Sequence, residues 1–324
     1  MAAPADGTRV TVEVEGRRLS LSNLAKTLYP PVDGSPGFSK AEVLDYYTRI
    51  APVLLPHVAG RPATFTRWPD GVEGKAFFEK NAPSHTPEWV RRVTLPSPGS
   101  GMGRATIDYV LVEDLPTLVW AANLAALELH VPQWRVDASG VALDPDLLVL
   151  DLDPGPPATV VECCAVALLL RSQLAAAGLT AYAKTSGSKG MQLLVPLEPT
   201  AAERTSEYAK HLAGLLAGKH PDLVVAQMAK QVRPGKVFID WSQNNAAKTT
   251  IAPYSLRARA LPTASTPITW DEVAGCREAT DLRFTADEVL VRVTGDDPGE
   301  PVDLMAGLLG SERGRLPDPW ATRE

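Results

Sequence analysis

The sequence predicts a mixed α/β fold (α+β) in which a central sheet carries the functional acids. Three stretches predict it. Leu147-Leu148-Val149-Leu150 is an uncharged apolar run that reads as a strand buried on both faces, and it ends in Asp151-Leu152-Asp153. An alanine- and leucine-rich segment over 158–177 follows as a long helix that Gly178 ends. Two short strand patterns, 180–184 and 192–197, then flank the loop 185–190 and read as a hairpin.

From the start of the chain, Val10 to Leu21 alternates polar and apolar residues around Glu15-Gly16-Arg17, the pattern of a small hairpin. Ser22-Asn23 is expected to cap a short helix carrying Lys26, before a proline- and glycine-rich loop over 30–37. Ser39 caps a helix expected to run to about Ile50-Ala51, with Pro52 and Pro56 near its end. Segments 61–68 and 76–80 read as strands. The Gly-, Ser- and Pro-rich stretch 96–103 should be a mobile loop. Residues 110–112 form a strand and 115–127 a helix, which 128–132 leave as an extended segment. After the hairpin come a helix over 201–219, a strand over 236–241 and a polar turn over 242–248. The last region holds one helix, about 270–276, and a polar segment over 295–301. No internal repeat and no clean domain boundary is visible.

Composition is that of an ordinary globular chain: of 324 residues, 45% are hydrophobic and 22% charged. No apolar run reaches membrane-spanning length and the N-terminus has no apolar signal core, so a cytoplasmic protein is expected. Cys163, Cys164 and Cys276 support neither a disulfide frame nor a cysteine zinc site. A net charge of −6 argues against general electrostatic binding to nucleic acid. The acid is concentrated at the end: from Asp271 on there are 13 acids against 6 bases, about −7. By contrast 225–260 holds Lys230, Arg233, Lys236, Lys248, Arg257 and Arg259 against Asp240 alone, a local basic stripe suited to phosphate.

The acids carry the sharpest signal. Side chains at i and i+2 leave a strand on the same side, roughly 6–7 Å apart at ~3.3 Å per residue. Asp151 and Asp153 therefore point together, and either one stays protonated or a cation sits between them. A hard divalent ion suits such oxygen ligands. Val237-Phe238-Ile239-Asp240 is a second apolar strand ending in an acid, able to bring a third carboxylate. Three acids at one point suit two cations, about 3.5–4 Å apart, clamping an in-line phosphoryl displacement. Each acid, taken alone, also reads as a strand-end turn former.

Ser186-Gly187-Ser188-Lys189-Gly190 offers glycine-freed N–H groups and an ammonium, a phosphate cradle that is not a Walker A loop; it also reads as a plain hairpin turn. His130 is either a core histidine or a donor to a triphosphate. Arg257 and Arg259 are either a solvated basic strand or a guanidinium fork on phosphate. Trp68, Phe77 and Phe78 are either core residues or stacking platforms for bases.

Taken together these segments resemble a known family. Leu-Asp-Leu-Asp-Pro-Gly, Thr-Ser-Gly-Ser-Lys-Gly, Val-Phe-Ile-Asp-Trp-Ser-Gln-Asn and Ala-Pro-Tyr-Ser-Leu-Arg-Ala-Arg, in this order, are similar to the polymerase domain of bacterial DNA ligase D, of the archaeo-eukaryotic primase superfamily. Leu-Ser-Asn-Leu-Ala-Lys-Thr-Leu-Tyr-Pro and Phe-Phe-Glu-Lys-Asn extend the resemblance over nearly the whole chain. The Trp-Ser-Gln-Asn and Leu-His-Val-Pro-Gln-Trp versions look most like actinobacterial members. No ligase lysine motif or nuclease segment follows, so a free-standing polymerase or an excised domain is expected.

The resemblance implies a primase-polymerase fold over 1–300, with a smaller N-terminal subdomain over roughly 1–135, a catalytic core over roughly 136–300 and a tail over 301–324. It implies a nucleotidyltransferase that prefers ribonucleotides and fills gaps or extends 3′ ends in double-strand break end joining or gap repair. Asp151, Asp153 and Asp240 would hold two ions, manganese (Mn2+) favoured over magnesium (Mg2+). His130, Ser186, Lys189, Arg233 and Arg257 would contact an NTP or dNTP, and Gln243 and Asn244 would line the same site. Lys26 and Lys40 would grip the 5′-phosphate of a gapped or broken DNA end. Arg67 is grouped with them, and Phe77 and Phe78 would stack near the template base. Implied partners are DNA, NTPs, a Ku-type end-binding protein and a separate ligase, at the nucleoid and away from any membrane. The chain departs from the family at Gln192, where many members carry His, and in a longer 29–40 loop. Two further readings stay open: a manganese-dependent glycosyltransferase using D-x-D, and a catalytically silent repair scaffold that binds DNA ends.

Overall fold

The structure, a computed structural model, describes residues 9–32, 34–97, 105–295, 301–310 and 312–317. Two six-stranded sheets, each with its own apolar core, form its body. The first sheet runs in the order Val224–Val225, Val237–Asp240, Leu147–Pro154, Met191–Pro196, Tyr182–Thr185, Pro267–Ile268. Its neighbours are antiparallel except for the parallel edge pair of Val224–Val225 with Val237–Asp240.

The Leu147–Pro154 strand explains its own sequence. Leu148, Leu150 and Leu152 are fully buried against the helices Val160–Ala176 and Ala202–Lys219. Leu147 and Val149 face the other way, under Met305 and Leu308. Past Val149 that second cover stops, and the same face then carries Asp151 and Asp153, both part-exposed. The strand is thus apolar on both faces at its root and on one face at its tip. Thr159 and Glu162 form a capping box that starts the following helix, an arrangement worth about 1 kcal/mol.

The second sheet runs Thr250–Ile251, Ala126–Val131, Pro62–Arg67, Thr106–Leu111, Arg92–Pro96, with Phe77–Glu79 also pairing Pro62–Arg67. Helices Lys40–Val58, Leu115–Asn123 and Ala286–Thr294 pack into its core. Its Thr250–Ile251 strand comes from far along the chain, so the sheet of the first third is completed from beyond residue 249. The segment 301–310 closes the seam: Asp303 meets His57 and Tyr254, while Met305 and Leu308 cover the first sheet.

Several expectations change. Residues 23–26 form a turn, with Asn23 in the left-handed region, and not a short helix; so few residues cannot offset the cost of helix nucleation. The Lys40–Val58 helix runs through Pro52 and Pro56 because Val53, Leu54 and Val58 continue its buried face. A strand, Arg92–Pro96, and a helix, Ala286–Thr294, are additional. The expected loop 96–103 falls mostly outside the described residues, as does most of 295–301. Among the described residues no helix is long and apolar enough to cross a membrane.

Candidate active site

Where the two sheets meet, a cleft of about 210 Å³ is lined by Asp151, Asp153, Gln192, Ser186, Lys189 and Gln243 from one side and His130, Thr250, Arg257 and Arg259 from the other. A larger groove beside Tyr182 and Trp270 carries Arg171 as its one charged side chain. Of these two spaces, the smaller one holds most of the charged groups.

Strand register sets where the acids stand. Asp240 is the antiparallel partner of Asp151, Gln192 pairs with Asp151 on its other side, and Lys184 pairs with Gln192. Directly opposed residues share a face, so Asp240, Asp151, Gln192 and Lys184 form one row across four strands. Gln192 donates from Nε2 to Asp151 Oδ1 at 3.0 Å. Burial, then Asp153 and Asp240, push the Asp151 carboxyl up to about 7, against the pull of Gln192 and Lys184. Lys184 is fully buried, donates to Ser265 Oγ at 2.6 Å and has its ammonium pushed down to about 7 by that burial.

Asp240 shares its oxygens locally: Oδ1 accepts from Ser242 and Oδ2 from Gln243 Nε2 at 2.8 Å. Among the described residues no three His, Cys, Asp or Glu side chains are gathered into a finished ligand cage. The donor chemistry still fits a hard divalent ion, because crowded carboxylates with a raised Asp151 gain from a cation and Gln192 Oε1 is a buried oxygen without a partner. Ligation of an ion by Asp240 would exchange its bonds to Ser242 and Gln243.

The glycine loop is built for close approach. A Cβ on Gly187, which sits at φ +68°, would meet Arg257 Cγ at 2.6 Å, and one on Gly190 would meet the Leu152 carbonyl oxygen at 2.2 Å. Ser186 Oγ accepts the N–H groups of Ser188 and Gly190, both at 3.2 Å, and so shapes the loop. Lys189 Nζ lies 3.4 Å from the Pro154 carbonyl oxygen. On the opposite wall His130 Nε2 meets Glu128 Oε2 at 2.9 Å, and Arg257 Nε lies 3.4 Å from Glu128 Oε1. Arg259 Nε donates to Ser188 Oγ at 2.9 Å, tying the walls together.

Other expected residues stand elsewhere. Arg233 stacks on Phe238, 3.6 Å from its ring centre, and donates to the Met228 carbonyl; it does not line the cleft. Asn244 is buried, and its amide is spent on the Val149 N–H and on the Val149 and Trp241 carbonyls, so it clamps the acid-bearing strand from beneath and does not line the site. Lys40 is buried and donates to the Ser22 carbonyl oxygen at 2.7 Å; burial, then Lys26 and Arg67, push it down to about 8. Its ammonium is not presented to a phosphate. Arg67 is held by Glu79 and the Leu124 carbonyl. Lys26 is one-third exposed, paired with the exposed Asp70 at 3.0 Å. Phe77 and Phe78 are 40% and 61% exposed on the Phe77–Glu79 strand. The basic stripe divides: Arg257 and Arg259 line the cleft, whereas Lys236 donates to the Pro221 carbonyl.

Glu128 and Lys184 were not among the expected site residues. For Glu128 a signal existed, since Glu128-Leu129-His130 in an extended segment puts the acid on the histidine's face. Lys184 had none, because nothing local distinguishes it from an edge lysine.

Comparison with known proteins shows the family of the chain. The family model described as "LigD, primase-polymerase domain" matches residues 39–299. The multifunctional non-homologous end joining protein LigD of Mycolicibacterium smegmatis is 47% identical over 292 residues, which are 90% of this chain and 36% of that protein. The bifunctional LigD of Bacillus subtilis is 31% identical over 257 residues, 79% of this chain and 40% of that protein. The chain thus spans little more than a third of the length of these relatives. Among solved structures, the polymerase domain from Mycobacterium tuberculosis ligase D in complex with DNA superposes with a TM-score of 0.81 at 41% identity, covering 91% of this chain and 99% of that one. With the family model and these relatives in agreement, the chain belongs to the LigD primase-polymerase family.

Proposed function

We propose that the chain is a metal-dependent nucleotidyltransferase that adds nucleotides, preferentially ribonucleotides, to a DNA 3′ end at a gap or break during end joining. The single observation that carries this reading is the cross-strand pairing of Asp151 with Asp240, where Asp151 and Asp153 line a cleft that Arg257 and Arg259 also line. Asp151, Asp153 and Asp240 would hold the divalent ions, with manganese the preferred metal. When bound, such ions supply Lewis acidity toward the attacking 3′-hydroxyl and charge neutralisation toward the leaving pyrophosphate.

The chain's own residues position and neutralise. His130, Arg257 and Lys189 would bind the triphosphate, and Ser186 keeps the glycine loop in the shape that lets Lys189 reach it. Gln192 holds one oxygen of Asp151, leaving the other for the cleft. Lys184 supplies a buried counter-charge behind the acids. The new bond joins the 3′-oxygen to the α-phosphorus as the α–β bridge breaks, and such transfers depend almost wholly on positioning and charge. Phe77 and Phe78 would stack near the template base, and Lys26 would grip the 5′-phosphate of the downstream strand. A Ku-type end binder and a separate ligase are the partners this role calls for.

The test is extension of a gapped duplex with Mn2+ and NTPs. Extension by the wild type and none by Asp151→Asn or Asp153→Asn supports the reading. Undiminished extension by both variants would reject the site. Sugar transfer without extension would favour a glycosyltransferase, and end binding without either would favour a scaffold.

A further inference from the structure

Glu128 is a buried carboxylate that the reaction outlined above does not use. It is 6% exposed, on the cleft-facing side of the Ala126–Val131 strand. Burying an ionised carboxylate costs several kcal/mol unless partners surround it. Here they come from two chain segments: His130 Nε2 meets Oε2 at 2.9 Å, while the Ala258 N–H donates to Oε1 at 3.1 Å and Arg257 Nε lies 3.4 Å from it. Burial pushes the carboxyl up, but His130, Arg257 and Ala258 outweigh it and hold it below the usual range, so it stays charged.

Two of these contacts come from side chains that line the cleft, His130 through its outer ring nitrogen and Arg257 through the inner nitrogen of its guanidinium. With Nε2 of His130 committed to Glu128, Nδ1 is the ring nitrogen left for a ligand. Arg257 Nε faces Glu128 as an ion pair without a hydrogen bond, and no described hydrogen bond uses its two terminal nitrogens. Around Arg257 the main chain is pinned as well: Tyr29 donates to its carbonyl at 3.1 Å, and its N–H donates to the Thr263 carbonyl at 2.7 Å. The carboxylate lies between the Arg257 guanidinium and the His130 ring and so holds both at one place.

We infer that Glu128 is a positioning residue for the triphosphate: it orients His130 and Arg257 as one paired donor surface before the anion arrives. This rests on reading the cleft as a nucleoside-triphosphate site. Glu128 touches neither phosphate nor the reacting atoms, so its effect passes through His130 and Arg257.

The decisive variant is Glu128→Gln, which keeps the shape and removes the charge. Two readouts are needed: KM and kcat for NTP in primer extension, and the Kd of inorganic triphosphate by calorimetry with and without Mn2+. The expected result is a rise of about 10-fold or more in both KM for NTP and Kd for triphosphate, equivalent to about 1.4 kcal/mol, with kcat and the KM for DNA within about threefold. Glu128→Asp, which retains the carboxylate, should fall between, and it carries the test if the Gln variant does not fold. In a His130→Asn, Arg257→Ala background, adding Glu128→Gln should change the triphosphate Kd by less than about twofold, because residues acting through one another are not additive. An unchanged triphosphate Kd in Glu128→Gln, or a full further loss in that background, overturns the inference. Absence of extension by the wild type would instead overturn the polymerase reading, and the calorimetric arm would still decide the role of Glu128.

Discussion

Asp151 and Asp240 are directly opposed residues of one antiparallel strand pair, with Gln192 on the far side of Asp151. Their register fixes a carboxylate crowd that only protonation or a bound cation relieves.

That crowding makes stability depend on pH. The folded Asp151 carboxyl titrates at about 7, against an ordinary carboxylate near 3.9 in the unfolded chain. Between these values the native state holds more protons than the unfolded one, so stability falls as pH rises through that window. In chelator, the Tm of the wild type is expected to drop from pH 5 to pH 8, and Mn2+ to restore it at pH 8. Asp151→Asn should remove most of that slope and gain on the order of 2–4 kcal/mol at pH 8, while abolishing extension. Calorimetric melts that are flat over this range in the wild type would contradict the crowding.

The two lysines assigned to the 5′-phosphate should part company. Lys26→Ala is expected to leave Tm nearly unchanged, since its pair with Asp70 is exposed, and to lose the preference for a 5′-phosphorylated gap. Lys40→Ala should instead lower the Tm, because it orphans the buried end of a bond to Ser22. Competition between phosphorylated and unphosphorylated gaps, run beside thermal melts, separates the effects; equal preference in wild type and Lys26→Ala would remove that lysine from the interface.

Gly187→Ala should damage both the fold and the cleft. The new methyl group would have to adopt φ +68° and push against Arg257 and Ala264 at once. A loss of about 2 kcal/mol or more in stability and a KM for NTP raised about 10-fold are expected, read by urea unfolding and steady-state kinetics. Gly214→Ala lies in open helical space and serves as the control: it should be neutral or stabilising by up to about 1 kcal/mol.

Phe78→Ala tests the template role. The side chain is 61% exposed, so the fold should lose little, under about 0.5 kcal/mol. Stacking on a base contributes about 1–3 kcal/mol, so affinity for gapped duplex should fall roughly 5- to 150-fold. Fluorescence anisotropy measures it, and unaltered affinity would return Phe78 to the role of a bare surface residue.

Much of this was readable from the chain because strand chemistry is local. Asp151-Leu152-Asp153 announces its own geometry: period two puts both acids on one face and Leu152 in the core, as observed. The Thr285–Glu288 capping box was equally readable and marks the helix Ala286–Thr294 that the sequence analysis passed over. What stayed hidden depends on distant partners. Nothing near Lys40 shows that its ammonium is consumed by Ser22, and nothing near Asn244 shows that it clamps Val149. Arg233 looked like part of a phosphate stripe, but Phe238 takes its guanidinium face. The prolines of the Lys40–Val58 helix misled for the same reason: tertiary burial outweighed local preference.

The segment 301–310 has a practical consequence for anyone trimming this protein. The family match stops at residue 299, yet Asp303 fastens His57 and Tyr254, and Met305 and Leu308 roof the base of the acid-bearing strand. A fragment cut at 299 would leave Leu147 and Val149 wet and remove one of the ties between the two sheets. Portable versions of this chain must therefore keep the strap that lies past the edge of their own family signature.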